Sequence, residues 1–181
     1  MSHFVGLCFG EYFECHLERY YEGNDVEEYV DYTKEEAIAE IKKDRPDISD
    51  EEAWEYVKES WGYTINEKDE LVNTYNPESK WDWYCVGGRW SNYLPMAEFD
   101  ENDNVYYQDI ATVGEVDWEQ YKKEHNAPFC FVDLDGEWHE CAHMGWWGMT
   151  SDDNENWENE FWEYVNSLPE DTVITTVDFH I

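Results

Sequence analysis

The residues of this chain whose types and spacing could do chemistry gather in the stretch Asn76-Pro77-Glu78-Ser79-Lys80-Trp81-Asp82-Trp83-Tyr84-Cys85-Val86-Gly87-Gly88-Arg89-Trp90. It sets two of only eleven Lys and Arg side chains among three tryptophans and a Gly-Gly step. Gly87 and Gly88 permit a sharp backbone turn that exposes N–H groups, as anion-binding nests do. Lys80 and Arg89 would then hold a phosphate or carboxylate, with Trp81, Trp83 or Trp90 stacking on a base, to make a nucleotide or small-ligand pocket. The alternative is structural: Arg89 lies on a Trp face and pairs with Asp82, pinning a corner of the core. Neither GxGxxG nor GxxxxGK[ST] is present, so the pattern specifies no phosphate loop and no cofactor is expected.

A second constellation is His139-x-Cys141-x-His143, with Glu137 in line. Along one face of a strand, three soft or borderline ligands would suit zinc. A structural zinc site needs a fourth ligand, however, and usually places its ligands around a turn. Packing or surface roles are the expectation, and no metal is assigned. Asp100-Glu101-Asn102-Asp103-Asn104 begins like a calcium loop, but Val105 and Ala111 stand where an EF-hand requires Gly and Glu, so it reads as a turn. No GxSxG elbow, HExxH helix or kinase set occurs. Cys85 or Cys141 beside a His, or the acidic pair Glu158 and Glu163, are the available catalytic groups. Carboxylates around a thiol raise its pKa and oppose thiolate chemistry. The chain does not read as an enzyme.

Charge is the dominant global feature. Forty-five Asp and Glu face eleven Lys and Arg, a formal charge of −34, and no Lys or Arg follows Lys123. Charge this far from zero opposes compaction by self-repulsion and calls for a basic partner, cations or high salt. Disordered acidic segments lack aromatics, whereas this chain has 11 Trp, 14 Tyr and 8 Phe, so it reads as folded. Direct binding to nucleic acid is excluded by like charge. A protein with a basic groove matched to a duplex, which carries about one negative charge per 1.7 Å, is the natural partner. The residues expected to meet it are Glu51, Glu52, Glu55 and Glu59 on one helix and Asp152, Asp153, Glu155 and Glu158 near the C-terminus. No apolar run approaches a membrane span, and the Met1–Gly6 segment lacks the pattern of a secretion signal. Five irregularly spaced cysteines without a CxxC pair read as free thiols in a reducing cytoplasm.

The elements that must position these groups follow from periodicity and punctuation. His3–Phe9 predicts a strand ending at Gly10, and Tyr12–Tyr21 a second strand or an aromatic loop. Thr33-Lys34-Glu35-Glu36 and Ser49-Asp50-Glu51-Glu52 are capping boxes. They predict helices carrying Ala37, Ile38 and Ile41, and Ala53, Trp54, Val57 and Trp61, the second closed by Gly62. Trp81–Val86 reads as a strand, and Tyr93–Phe99 with Val105–Val113 as a hairpin. Asp117 caps a short helix holding Trp118 and Tyr121. Phe129–Leu134 and Glu137–Ala142 flank Asp135-Gly136, a type I′ turn signal. A last helix starts at Ser151-Asp152-Asp153, buries Trp157, Phe161, Trp162, Val165 and Leu168, and stops at Pro169 before a strand over Val173–Ile181. The sum is one acidic α+β domain over residues 1–181, with three to four helices packed on a mainly antiparallel sheet.

The segment from Asn76 to Trp90 resembles a stretch of the form NPxSKWDWYxxGGRW in a family of small phage and prophage proteins. The closing Val177-Asp178-Phe179-His180-Ile181 is similar to their C-termini. The resemblance covers these two segments and implies a viral origin and a place in the host cytoplasm; it transfers no catalytic residue. In general character the chain also resembles acidic phage inhibitors of CRISPR–Cas effectors and restriction enzymes. The function implied is inhibition of a basic, nucleic-acid-binding host defence protein by imitation of nucleic-acid charge. A nucleotide-trapping protein built on Lys80–Trp90 is the alternative.

Overall fold

The computed structural model describes residues 2–99, 102, 104–144 and 150–181. In chain order, β1 (His3–Phe9) leads into α1 (Phe13–Leu17) and a 3-10 turn at Glu18–Tyr20. There follow β2 (Tyr29–Tyr32), α2 (Lys34–Asp44), α3 (Asp50–Ser60), β3 (Thr64–Ile65) and β4 (Leu71–Asn73). Next come β5 (Trp83–Val86), β6 (Leu94–Phe99), β7 (Val105–Gln108), β8 (Ile110–Thr112) and α4 (Trp118–Glu124). The chain closes with β9 (Cys130–Val132), β10 (Trp138–Glu140), β11 (His143–Met144), β12 (Thr150–Ser151), α5 (Trp157–Ser167) and β13 (Val173–His180). The class is α+β, with five helices where the sequence predicts three or four. Two compact units emerge: a smaller one, Gly23–Pro77, and a larger one made of Met1–Glu22 and Glu78–Ile181.

The larger unit is built on a six-stranded sheet ordered β10-β9-β1-β13-β5, with β8 also pairing β13. Only β1 with β9 is parallel; every other pair in this sheet is antiparallel. Apolar residues on β1 and β13 point to both faces, so both strands are covered on both sides. Val5, Leu7, Phe9 and Ile174 join Tyr121 of α4 and Trp157, Phe161 and Val165 of α5 in one core. Phe4, Cys8, Val177 and Phe179 join Phe13 and Leu17 of α1, with Tyr20 and Trp81, in the other. At about 25 cal/mol per Å2 of apolar surface, such double burial is the chief stabiliser available to this unit.

The smaller unit packs α2 and α3 on a three-stranded sheet ordered β2-β4-β3. Ala37, Trp54, Val57 and Leu71 form its core. Both predicted capping boxes are present: Thr33 and Glu36 exchange side-chain and backbone hydrogen bonds, as do Ser49 and Glu52. These bonds hold the Glu36 and Glu52 carboxyls below the usual carboxylate range.

Four expectations are corrected. Tyr12–Tyr21 is helical rather than extended, because Phe13, Leu17 and Tyr20 recur at helical spacing and are the residues that bury. Val105–Val113 does not run on as one strand; it breaks at Asp109, and β8 pairs with β13. The turn after β9 is not type I′, since positive φ occurs at Gly136 but not at Asp135. There Asp133 accepts from the backbone N–H groups of Asp135 and Glu137 and closes a longer loop. Finally, α5 begins at Trp157, while Asp152 adopts φ 57° in the segment before it. Strands β6 and β7 pair as the expected hairpin; of its turn, Asp100, Glu101 and Asp103 lie outside the described residues. Removing either capping hydroxyl, Thr33→Ala or Ser49→Ala, should cost about 1 kcal/mol in urea denaturation, a loss that Thr33→Ser should largely restore.

Candidate functional site

Strand pairing brings the Asn76–Trp90 segment and the C-terminal strand together. β5 lies beside β13 with Val86 opposite Val177, Cys85 opposite Asp178, Tyr84 opposite Phe179 and Trp83 opposite His180. On the other side of β13, His3 stands opposite His180 and Val5 opposite Asp178. Because side chains alternate, His3, His180, Trp83, Asp178 and Cys85 share one face at this end of the sheet.

Asp178 is 1% exposed. A carboxylate at that depth is tolerated only with its lone pairs occupied. His3 Nδ1 lies 2.8 Å from one oxygen, and the Arg89 backbone N–H donates to the other at 2.9 Å. His180 Nδ1 is hydrogen-bonded to Asp82. The Trp83 indole, 42% exposed, stacks on His180 at 5.2 Å and meets His3 edge-on at 5.2 Å. The result is two imidazoles, 4.9 Å apart between centroids, each held through Nδ1 by a carboxylate. These contacts fix the orientation of both rings at the corner.

The Gly-Gly step is required by close approach as well as by backbone angles. Gly87 and Gly88 have φ of 69° and 58°. A Cβ on Gly88 would fall 2.5 Å from Asp178 Cβ, and one on Gly87 2.4 Å from Asp109 Oδ2. The turn seats the Arg89 N–H on Asp178 and leaves the Arg89 side chain exposed. Among the described residues that guanidinium has no ion pair and no aromatic ring beneath it, so the expected stacking on Trp and pairing with Asp82 do not form. Lys80 does not join it, since its ammonium pairs with Glu140 at 2.7 Å. Trp81 is buried in the other core, its Nε1–H donating to the Leu17 carbonyl. Trp90 packs at the edge of the core under α5. Of the eight residues proposed for a pocket, Asp82, Trp83, Gly87, Gly88 and Arg89 gather at this corner, whereas Lys80, Trp81 and Trp90 serve elsewhere. The sequence reading missed His3, Asp178 and His180, whose signal is only the Asp-x-His alternation on a terminal strand.

The His139, Cys141 and His143 set does not converge. β10 ends at Glu140, so the three are not in line on one strand. His139 stacks on Phe131 and meets Asp133 at 2.9 Å, and His143 lies 3.5 Å from Glu140. Among the described residues no group of three or more His, Cys, Asp and Glu is arranged to hold a metal. All five cysteines are free, and burial raises the pKa of Cys8, Cys85, Cys130 and Cys141. Glu158 and Glu163 both lie exposed on α5.

The acidic residues proposed to meet a partner are all exposed, but they fall in two electrostatic settings. Glu51, Glu52, Glu55 and Glu59 lie in the smaller unit, which carries 17 acidic and 6 basic residues, a net of −11. There Glu52 is bound in the capping box, Glu55 pairs with Lys58, and Lys42 reaches Asp50 on the same helix. Asp152, Asp153, Glu155 and Glu158 lie in the larger unit, which carries 28 acidic and 5 basic residues, a net of −23. None of these four has a Lys or Arg partner among the described residues. Glu160 and Glu163 extend the same surface along α5, whose opposite side is anchored by Trp157, Phe161 and Val165. One cation touches this helix from elsewhere: Lys122 lies over the Trp162 ring at 5.1 Å.

No protein-family model, curated protein or solved structure matches the chain. Among the described residues no helix is long and apolar enough to cross a membrane.

The Gly88 corner sets a test of its own geometry. Gly88→Ala should destabilise the protein by at least about 2 kcal/mol in urea denaturation, through left-handed backbone strain and the clash with Asp178. Asp178→Ala, which leaves His3 and the Arg89 N–H without their acceptor, should cost about 3 kcal/mol. If both variants match the wild type, Asp178 does not hold this corner together.

Proposed function

We propose that the protein is an inhibitor that docks on a basic, nucleic-acid-binding protein through its acidic surface and keeps nucleic acid from the groove it covers. The observation that carries this reading is the surface of α5 and the segment before it, whose carboxylates have no Lys or Arg partner among the described residues. Glu158, Glu160 and Glu163 are presented to solvent there on a helix fixed by three buried apolar side chains, and Asp152, Asp153 and Glu155 lie exposed in the segment that leads into it. Carboxylates held on a rigid support meet a basic groove without first being ordered, which limits the entropic cost of binding. Their summed field accelerates encounter with a positively charged partner and repels phosphate, so the protein itself does not bind nucleic acid. The resemblance of the Asn76–Trp90 segment to phage proteins favours a host defence protein in the cytoplasm as target, a CRISPR–Cas effector or a restriction enzyme.

A second reading, a small-ligand protein, is favoured by one observation: an exposed Arg89 guanidinium without an acidic partner among the described residues, in a chain of charge −34. With Trp83 and the two carboxylate-held histidines beside the same turn, it would take a small aromatic anion. Arg89→Ala separates the two readings, because it should abolish such binding and leave charge-driven inhibition nearly intact.

The leading reading is tested by capture from a bacterial lysate on the immobilised protein. A basic nucleic-acid-binding protein should be retained and released by added duplex DNA. Reversing Glu158, Glu160 and Glu163 of α5 to Lys should weaken its binding about five- to a hundredfold, if each reversal loses the few tenths to 1 kcal/mol of a surface charge contact. Reversing Glu51, Glu55 and Glu59 should cost less, since cations already stand among them. Retention of no such protein, or retention indifferent to duplex DNA and to the α5 reversals, would rule the reading out.

A further inference from the structure

The six-stranded sheet of the larger unit ends at β5, and among the described residues no strand pairs with its outer side. The Gly87 N–H donates to the Thr176 carbonyl, and the register continues with Cys85 opposite Asp178 and Trp83 opposite His180. Because bonding alternates along an antiparallel ladder, Trp83 and Cys85 turn their backbone groups inward to β13, while Tyr84 and Val86 turn theirs outward. Those outward N–H and C=O groups make no hydrogen bond among the described residues. An open edge of this kind is a template for another strand, and proteins blunt it with Lys, Pro or inward-pointing charge. Trp83-Tyr84-Cys85-Val86 carries none of these, and Trp83 and Val86 are exposed.

Charge selects the occupant. β5 opens the longest run without Asp or Glu in the chain, fifteen residues from Trp83 to Ala97, whose single charged side chain is Arg89. Two copies, each of charge −34, repel wherever carboxylates face one another, and on this strand there are none. An extended basic segment would find nothing in the strand to pair with. The edge is also self-complementary in one register. With Cys85 on a two-fold axis, Tyr84 of one copy lies opposite Val86 of the other, twice, and each pair exchanges two backbone hydrogen bonds. Centring on Tyr84 instead would set Val86 against Asp82, whose N–H is already given to the His180 carbonyl. The Cys85 register places an aromatic ring against a β-branched side chain, a favourable cross-strand pair. It also sets Asp82 opposite Gly88, beside Arg89 of the other copy. Arg89 has no ion pair in its own copy among the described residues, and the Asp82 side chain is 32% exposed, so the two fit as a pair made twice.

We infer that β5 is a dimerisation edge, on which a second copy of this chain pairs antiparallel about Cys85 and joins the two six-stranded sheets. This goes beyond the inhibitor reading, which needs no dimer, and its salt dependence has the opposite sign. Docking on a basic partner weakens as salt screens attraction, whereas association of two acidic copies strengthens as salt screens repulsion.

The test is sedimentation velocity of the full chain over a range of protein concentrations, at about 50 and about 500 mM NaCl, between which screening changes greatly. A reversible monomer–dimer equilibrium should appear and should shift towards dimer at the higher salt. Amide hydrogen exchange should find the Tyr84 and Val86 N–H groups protected in the dimer and open in the monomer. Val86→Pro removes an outward N–H and no bond to β13, so it should leave a monomer that circular dichroism shows to be folded. Arg89→Glu turns both cross-copy contacts repulsive and should raise the dimer dissociation constant about three- to thirtyfold, since the axis makes the loss of one surface pair twice. A monomer under all conditions, a dimer that salt dissociates, or a dimer whose Tyr84 and Val86 amides exchange freely would overturn the proposal. So would a dissociation constant unchanged in Arg89→Glu, which alters only an exposed side chain and carries the test if Val86→Pro does not fold. The inhibitor reading stands or falls separately, on whether a basic protein is captured.

Discussion

The larger unit depends on the pairing of its two chain ends. β1 and β13 form a seven-pair antiparallel ladder, from His3 opposite His180 to Phe9 opposite Ile174. β9 attaches to β1, β10 to β9, and both β5 and β8 attach to β13. Nothing in that sheet is independent of this ladder. Its contacts are as non-local as the chain allows, so the entropy of closing a long loop must be met before packing rewards it. What offsets the cost is burial on both faces, under α4 and α5 on one side and α1 on the other. The ladder's one buried carboxylate, Asp178, sits where it can be satisfied by His3 on a neighbouring strand and by a backbone N–H from the Gly-Gly turn.

The same ladder explains how a chain of charge −34 folds at all. Nearly all of its ionised groups stay at the surface, where water and counterions screen repulsion over about 8–10 Å at ordinary ionic strength. The two units then use their acidic residues differently. In the smaller one, lysines stand among the carboxylates of α2 and α3 and pair with them. Along α5 no carboxylate has a Lys or Arg partner among the described residues, and the helix holds its charges against solvent because Trp157, Phe161 and Val165 fix it to the sheet. Surface charge is thus placed by the apolar pattern beneath it.

Much of this was legible in the sequence, and the exceptions have physical causes. α2 and α3 announce themselves through Thr33/Glu36 and Ser49/Glu52 because a capping box is a local signal. β1 and β13 are visible as apolar, β-prone runs. α1 and the 3-10 turn after it are hidden because their buried residues, Phe13, Leu17 and Tyr20, span barely two turns and sit among other aromatics. β2, β3 and β4 are each four residues or fewer and are specified by pairing with one another, which no local window contains. The acidic surface was readable as composition; its division into a compensated and an uncompensated part required knowing which cations reach which carboxylates. The corner at Gly88 was half read. The glycines and Arg89 stand out, but the residues that complete it, His3, Asp178 and His180, lie at the chain ends and arrive only through strand register.

The central claim is that an uncompensated acidic surface, presented on a rigid support, binds a protein that otherwise holds nucleic acid. The most direct measurement is the dissociation constant of the purified complex with the captured partner as a function of salt, from about 50 to about 300 mM NaCl, a range over which screening grows steeply. The account predicts that log Kd rises steadily with log salt, and that the α5 triple reversal flattens the slope. A dissociation constant unchanged across that range would contradict it, because an interface insensitive to screening is not held by the charge of this surface.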